Sequence, residues 1–237
     1  MSKQQQMIQL RKTIETLVAT RESRQDSLFS PQVTFEDTAA GIAKAYYRIF
    51  RSGYKLEDTA IPSFLHAVID PEMRAGSYLG IHLMFTQWKR YTDLLTFTHF
   101  TLEAMDIVPI DTDVIVKTRG SFRFVVTRDT IRGIFPHLLG NEAVIQRIMG
   151  LRLTCACSID LYVDHHGRVV RYAEHADFVK AFAEALKDPA CVSILMQGAL
   201  IHEESMLGEV DFARNKGDKG VPPKGGERGD TEVAVEL

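Results

Sequence analysis

Residues 158–177, SIDLYVDHHGRVVRYAEHAD, contain three histidines and four carboxylates in twenty positions. Histidine and carboxylate side chains exchange protons near neutral pH, and histidines also bind metal ions. The adjacent side chains of His165 and His166 point to different sides of the chain, and no ligand spacing repeats between them and His175. We therefore expect no metal site and no cofactor, and ask whether the segment does acid–base chemistry.

The segment that leads into this cluster, residues 151–164, alternates apolar and polar side chains without a break. Such alternation predicts a long half-buried strand, which "DHHG" turns into an antiparallel partner, "RVVRYAEH". The apolar face of the first strand carries Cys155 and Cys157 but no titratable His, Asp or Glu. Buried thiols without a basic partner are inert, and Asp160 and Asp164 lie on the opposite face. We interpret the hairpin as structural rather than catalytic.

Other candidate side chains lie on the predicted helices and strands. His99 and Glu103 share one face of a strand, but residues four apart on a strand lie about 13 Å from each other, too far for direct contact. The aromatic residues of the helices could either line a cavity or fill it, and filling is the commoner outcome. If there is a pocket, its candidate residues are Tyr46, His66, Asp70, Trp88 and Tyr91.

Three helices precede the long strands in the chain. A T-x-x-D capping signal at Thr34 and Asp37 begins the first helix, Pro71 ends a short second one, and the third runs through residues 78–95. Strand-like patterns follow at 95–108, 112–126 and 151–164, with short helices at 141–150 and after residue 176. Helices followed by antiparallel strands predict the α+β class.

The chain divides into three parts. We expect residues 1–28 to form a short helix with two heptads, either a degenerate coiled coil or an amphipathic helix packed on its own domain. The predicted seam is Met7, Leu10, Ile14 and Leu17. Residues 33–203 form the folded domain. Residues 208–237, rich in glycine and charge, are predicted to be a disordered tail.

Composition excludes several classes of protein. Three cysteines and no long apolar run argue against a disulfide framework and against a membrane protein, so we expect an intracellular protein. The net charge is −3, and residues 1–30 hold five Lys/Arg against three acids. Because DNA binding needs a phosphate-neutralising surface, we expect this chain not to bind nucleic acid by itself.

Three motifs carry a family resemblance: AYYRIFRSG (45–53), TRDTIRGIFPHLLG (127–140) and GRVVR (167–171). In order and spacing they resemble bZIP-transcription-factor-like proteins, whose zipper precedes a nuclear-transport-factor-2-like, or SnoaL-like, domain. The resemblance implies a cone-like domain in which N-terminal helices pack on a curved antiparallel sheet. It also implies a location in the nucleus. Without the resemblance, we expect a cytoplasmic protein. The basic region that reads DNA in such proteins is missing from this sequence.

The leading hypothesis is a non-catalytic dimerisation, protein-interaction or ligand-sensing domain related to bZIP regulators of transcription. Its partner would be a second copy of the chain or a bZIP-type protein, and a small ligand is compatible with it. The candidate dimer face is the polar side of the long strand: Arg152, Thr154, Ala156, Ser158, Asp160 and Tyr162. The alternatives are a small-molecule dehydratase, isomerase or cyclase using a cone cavity, and a longer product whose basic region lies upstream of Met1.

Overall fold

The computed structural model describes residues 34–55 and 57–208. The predicted zipper seam (Met7, Leu10, Ile14 and Leu17) and all but the first residue of the predicted tail lie outside the described residues. Within the described ranges no helix is long and apolar enough to cross a membrane.

The helices in the described part of the chain are α1 (Phe35–Ile49), α2 (Ala60–Val68), α3 (His82–Leu95), α4 (Arg128–Ile134), α5 (Glu142–Ile148), α6 (Phe178–Leu186) and α7 (Pro189–Gln197). The predicted capping box begins α1: Thr34 Oγ1 accepts from the backbone N–H of Asp37, whose carboxylate accepts from that of Thr34. Asn141 caps α5 by accepting from the backbone N–H of Val144, and Asp177 caps α6 by accepting from that of Lys180. Local polar side chains therefore fix where these helices start.

Six strands form one sheet in the described part of the chain, in the order β2-β1-β6-β5-β4-β3. They are β1 (Ile69–Ala75), β2 (Tyr78–Leu79), β3 (Thr98–Ile110), β4 (Asp113–Val125), β5 (Arg152–Val163) and β6 (Val169–Ala176). All neighbouring strands are antiparallel except β1 and β6. Register shifts interrupt β3–β4, β5–β6 and β1–β6, and such bulges bend a sheet.

The sheet is curled, and α1 packs against β3 and β4. The inner faces and the helices share one hydrophobic core, which includes Phe50, Phe122 and Phe124. This is the α+β arrangement that the sequence predicts: helices covering the concave face of a curved, mostly antiparallel sheet. β5 confirms the predicted alternation, since its odd-numbered residues are buried and its even-numbered ones are exposed or half-buried.

Two predicted boundaries are wrong. Pro71 does not end the second helix, because α2 stops at Val68 and Pro71 lies inside strand β1. The strand tolerates the proline because its ladder with β6 is irregular between Ile69 and Arg74, so no regular ladder hydrogen bond is lost there. The third helix begins at His82, since Tyr78–Leu79 pairs with β1 as a strand.

Candidate functional site: a carboxylate in an aromatic cavity

A cavity lies inside the cone, walled by α3, the inner sheet face and residues 204–206. Its apolar wall is largely aromatic: Trp88, Tyr91, Phe97, Phe100 and Phe122. The polar residues in the wall are Gln87, Tyr172, Glu174 and Glu204. The free volume is about 30 Å³, measured as the space that the centres of water molecules can occupy. That is room for about two waters, so larger molecules do not fit in this conformation.

A chain of hydrogen bonds runs from the helix side of the cavity to Glu174. The indole Nε1–H of Trp88 donates to Tyr46 Oη at 2.7 Å, and Tyr46 Oη lies 3.0 Å from Tyr172 Oη. Tyr172 Oη then donates to Glu174 Oε2 at 2.6 Å. Because indole N–H can only donate and an ionised carboxylate can only accept, the two hydroxyls then point the same way, toward Glu174.

Glu174 has an acidity suited to proton exchange near neutral pH. Burial among aromatic rings raises its pKa to about 7, the hydrogen bond from Tyr172 opposes that shift, and the nearby charge of Glu204 adds to it. Burial also raises the pKa of Tyr172 and of Tyr46 well above the usual range, so both phenols stay protonated as donors. A carboxyl group that titrates near pH 7 can act as general acid or general base.

Residues 201–208, which we call the strap, close one side of the cavity. Ile201 and Leu207 pair as an antiparallel bridge, and between them Glu204 and Ser205 adopt left-handed φ values of 51° and 55°. For residues other than glycine such φ values cost about 1–3 kcal/mol each and persist only where the surrounding structure imposes them. The strap is therefore strained and needs tertiary hydrogen bonds to stay in place.

Those hydrogen bonds come from β6 and α3. Glu204 Oε2 accepts from the backbone N–H of Glu174 at 2.7 Å, and Ser205 Oγ accepts from that of Ala176 at 2.7 Å. Tyr91 Oη donates to the carbonyl of Ser205 at 2.8 Å. The strap thus puts a second carboxylate beside Glu174, in contact with the same strand.

The five predicted pocket residues separate into two groups. Trp88 and Tyr91 line the cavity, and Tyr46 lies behind the wall, joined to it by hydrogen bonds. His66 is exposed on α2, and Asp70 caps the turn before Glu72 by accepting from its backbone N–H at 2.8 Å. Neither of these two residues reaches the cavity, so the structure brings together only the aromatic members of the set.

The carboxylate that the structure does place in the cavity, Glu174, was missed by the interpretation of the hairpin. That interpretation considered the inner face of β5 and not that of its partner. In the observed register Ile159 pairs with Glu174 and Leu161 with Tyr172, so these β6 residues face inward with the apolar side of β5. The alternation of side chains along "RVVRYAEH", which puts Tyr172 and Glu174 on the same face of the strand, could have revealed this.

The remaining predicted residues lie outside the cavity. His165 and His166 are exposed in the turn, as predicted, with rings 3.8 Å apart. On the outer face of β5, Asp160 Oδ2 accepts from Lys117 Nζ at 2.9 Å, and Arg171 lies over the ring of Tyr162. Within the described residues no group of three or more His, Cys, Asp or Glu is placed to hold a metal ion.

Comparison with known proteins supports the expected resemblance. Residues 40–94, which run from α1 through most of α3, match the family model described as "BZIP transcription factor 1 C-terminal domain". No curated protein sequence matches the chain. The resemblance to bZIP-transcription-factor-like proteins is thus confirmed over that part of the chain.

Two solved structures are similar to part of this chain. A SnoaL-like polyketide cyclase from Agrobacterium tumefaciens aligns with a TM-score of 0.42 at 15% identity, covering 64% of this chain and 96% of its own. TsrD from Streptomyces laurentii aligns with a TM-score of 0.40 at 16% identity, covering 63% of this chain and 94% of its own. At TM-scores below 0.5, we draw no conclusion about chemistry from either.

Proposed function

We propose that the domain binds a small, largely apolar organic molecule in the cone cavity and exchanges a proton with it through Glu174. The observation that carries the proposal is the Tyr172–Glu174 hydrogen bond inside an aromatic cavity. Neither Lys, Arg nor His is in the described wall of this cavity, so no cation there balances the charge of Glu174 when it ionises.

The proton transfer that suits this site removes a proton from carbon next to a carbonyl group. The C–H bond breaks, the proton moves to Glu174, and the electron pair passes to the carbonyl oxygen as an enolate. Tyr172 donates to Glu174 Oε2, and in the described part of the chain Oε1 carries no hydrogen bond, so Oε1 is the atom placed to accept the proton. Returning the proton to a different atom would complete an isomerisation.

Binding requires that the strap moves. Ligand pockets for organic molecules usually measure about 300–1,000 Å³, far more than the space that is free in the closed form. The strained residues Glu204 and Ser205 make the strap the wall that is easiest to displace. Ligand contacts would then offset the hydrogen bonds that opening breaks.

The test uses 2-tetralone, a two-ring ketone with acidic C–H bonds, as the probe. Trp88 is the single tryptophan of the chain, so its indole N–H gives one identifiable NMR signal at the cavity wall. We expect a saturable shift of that signal and, in D₂O, faster deuterium uptake by the ketone, which Glu174→Gln abolishes. Glu184→Gln, an exposed change on α6, should leave the uptake unchanged.

Each result has a distinct meaning. Saturable binding without faster exchange would contradict the proton transfer and support a ligand-sensing domain instead. No saturable shift at millimolar ketone would contradict binding in this cavity. Exchange that persists in Glu174→Gln would assign the chemistry to another group.

A second proposal concerns assembly and rests on the outer face of β5, whose side chains are exposed or half-buried. We propose that this face pairs with a second copy, because small residues, Ala156 and Ser158, lie at its centre with Tyr162 near one end. The matched family model is named for bZIP transcription factors, so such a dimer would serve a transcription regulator in the nucleus.

Sedimentation of the full chain tests the dimer. Ala156→Arg should give a monomer, whereas Ala67→Arg, the same change at an exposed position of α2, should keep the dimer. A dimer that Ala156→Arg leaves intact, or one that disappears when residues 1–27 are removed, would contradict the proposed interface.

A further inference from the structure

Gln87 connects the cavity wall to the strap. Its Oε1 accepts from the backbone N–H of Leu207 at 2.9 Å. Because only the oxygen can accept, that hydrogen bond fixes which end of the amide is which. Nε2 is buried and has no hydrogen-bond partner in the part of the chain that the structure describes.

A buried N–H donor without an acceptor has an energetic cost. Leaving such a donor unsatisfied costs about 1–3 kcal/mol, and most proteins avoid it. Gln87 belongs to the cavity wall, so an acceptor atom inside the cavity would satisfy Nε2. The cavity wall thus carries an amide donor that no described protein group satisfies in the closed form.

The charges of the wall restrict what that acceptor can be. Glu174 and Glu204 both contribute carboxylates, and the described wall contains neither Lys, Arg nor His. A carboxylate or phosphate on the ligand would be repelled by these groups and would find no cation to balance it. An uncharged oxygen, such as that of a ketone, an ester or an amide, would not be repelled.

We propose that Gln87 is a specificity-determining residue: Nε2 donates to an uncharged acceptor oxygen of the ligand, whereas in the closed form Oε1 holds the strap through Leu207. This inference rests on the proposed binding of a small molecule in the cavity and names its class, a neutral molecule with an acceptor oxygen. The hydrogen bond to Leu207 orients the amide in the closed form, before the strap opens for the ligand.

The strap supplies a matched control for this role. Arg90 Nη1 donates to the carbonyl of Leu207 at 2.8 Å, so Arg90 holds the same strap residue as Gln87. Arg90 is outside the cavity wall, however, and offers no donor to the ligand. Replacing Arg90 weakens the strap alone, whereas replacing Gln87 weakens the strap and removes the donor.

The experiment measures binding of three probes with one shared ring frame through the Trp88 indole signal. 2-Tetralone carries the acceptor oxygen, tetralin lacks it, and 2-naphthoate carries a charge. For the natural chain we expect the ketone to bind about tenfold more tightly than the hydrocarbon, and no saturable binding of naphthoate. Gln87→Met should reduce the ketone preference to about one. Arg90→Met should keep the preference at about tenfold while strengthening the binding of both probes, because the strap then opens at a lower cost.

The outcomes separate this inference from the proposed function. Equal binding of ketone and hydrocarbon by the natural chain would overturn the role of Gln87 and leave small-molecule binding intact. A tenfold preference that survives Gln87→Met would overturn it too, as would tight binding of naphthoate. Failure of all three probes to bind would contradict the proposed function itself, and the inference with it.

Discussion

Strands β5 and β6 form one hairpin, and their inner faces lie side by side in the same core. Three β5 residues, Cys155, Cys157 and Ile159, present sulfur and hydrocarbon there, whereas β6 presents Tyr172 and Glu174. Burial raises the pKa of both thiols and keeps them protonated and inert. The same burial brings the pKa of Glu174 to about 7, where a carboxyl group can give and take a proton.

The difference shows that one environment has opposite consequences for two kinds of acid. Desolvation raises the pKa of any group that ionises to an anion. A thiol, which already titrates above neutral pH, moves further from the working range, but a carboxyl group moves into it. The inner face of β5 therefore contributes only to core packing, whereas the inner face of β6 carries the candidate reactive group, although the two strands pair residue by residue.

The largest effect is expected on β5. Ile159→Asp should unfold the domain, because it puts a charge at a buried position opposite Glu174, at a cost of several kcal/mol. Ser158→Asp, one residue away on the outer face and opposite Arg119, should change stability by less than about 0.5 kcal/mol. Urea denaturation followed by circular dichroism gives both values, and the reverse order would contradict the facing of this strand.

The next effect is expected on β6 and has the opposite sign. The pKa of Glu174 is about 7 in the folded protein against an ordinary 4.5, so folding favours its protonated form. That stabilisation is present below pH 4.5 and is lost as the pH rises through 7, by about 3 kcal/mol. Glu174→Gln should therefore be more stable than the natural chain at pH 8 by up to about 3 kcal/mol, and equal to it near pH 4.

Urea titrations at several pH values test this. The control is Glu184→Gln, whose stability should follow that of the natural chain at every pH. If Glu174→Gln destabilises the protein at pH 8, the carboxylate is stabilising the fold, and the proton-exchange account fails.

A smaller effect is expected from Tyr172→Phe. The phenol donates to Glu174, and that bond favours the ionised form, so its loss should raise the pKa of Glu174 above 7. Stability should fall by about 1 kcal/mol at pH 8, the usual contribution of one hydrogen bond. Tyr162→Phe, on the outer face, should change neither quantity; an unchanged pKa in Tyr172→Phe would mean that the phenol does not tune the carboxyl group.

The smallest effect is expected in the turn that joins the two strands. His166→Ala removes an exposed ring whose close neighbour is the ring of His165, so stability should change by less than about 0.5 kcal/mol. Thermal unfolding measures it. A loss of more than 1 kcal/mol would show that the histidine pair fixes the hairpin register.

Local patterns predicted much of this fold. The capping box formed by Thr34 and Asp37 correctly predicted the start of α1. The strict alternation of apolar and polar residues correctly predicted β5 and which of its faces is buried. Strand β1 was not found because it contains Pro71 and pairs in parallel with a strand about a hundred residues away. Such a partner leaves no local signal, and proline argues against a strand.

The candidate site was harder to predict than the fold. Glu174 is a charged residue at a position that faces the apolar core. A sequence pattern therefore predicts that it faces solvent, unless its register with Ile159 is known. The strap depends on tertiary bonds from Gln87, Arg90 and Tyr91, and nothing local in its sequence requires left-handed φ values. Trp88 and Tyr91, which follow helical spacing, were candidate pocket residues, although filling the cavity was the commoner expectation.

The most direct measurement is a pH titration of the Trp88 indole N–H signal by NMR. The indole is joined to Glu174 through Tyr46 and Tyr172, so ionisation of the carboxyl group should polarise the whole chain of hydrogen bonds. We predict an inflection near pH 7 in the natural chain and none in Glu174→Gln. A signal that does not change between pH 5 and 9, or the same inflection in Glu174→Gln, would contradict a proton-exchanging Glu174 in this cavity.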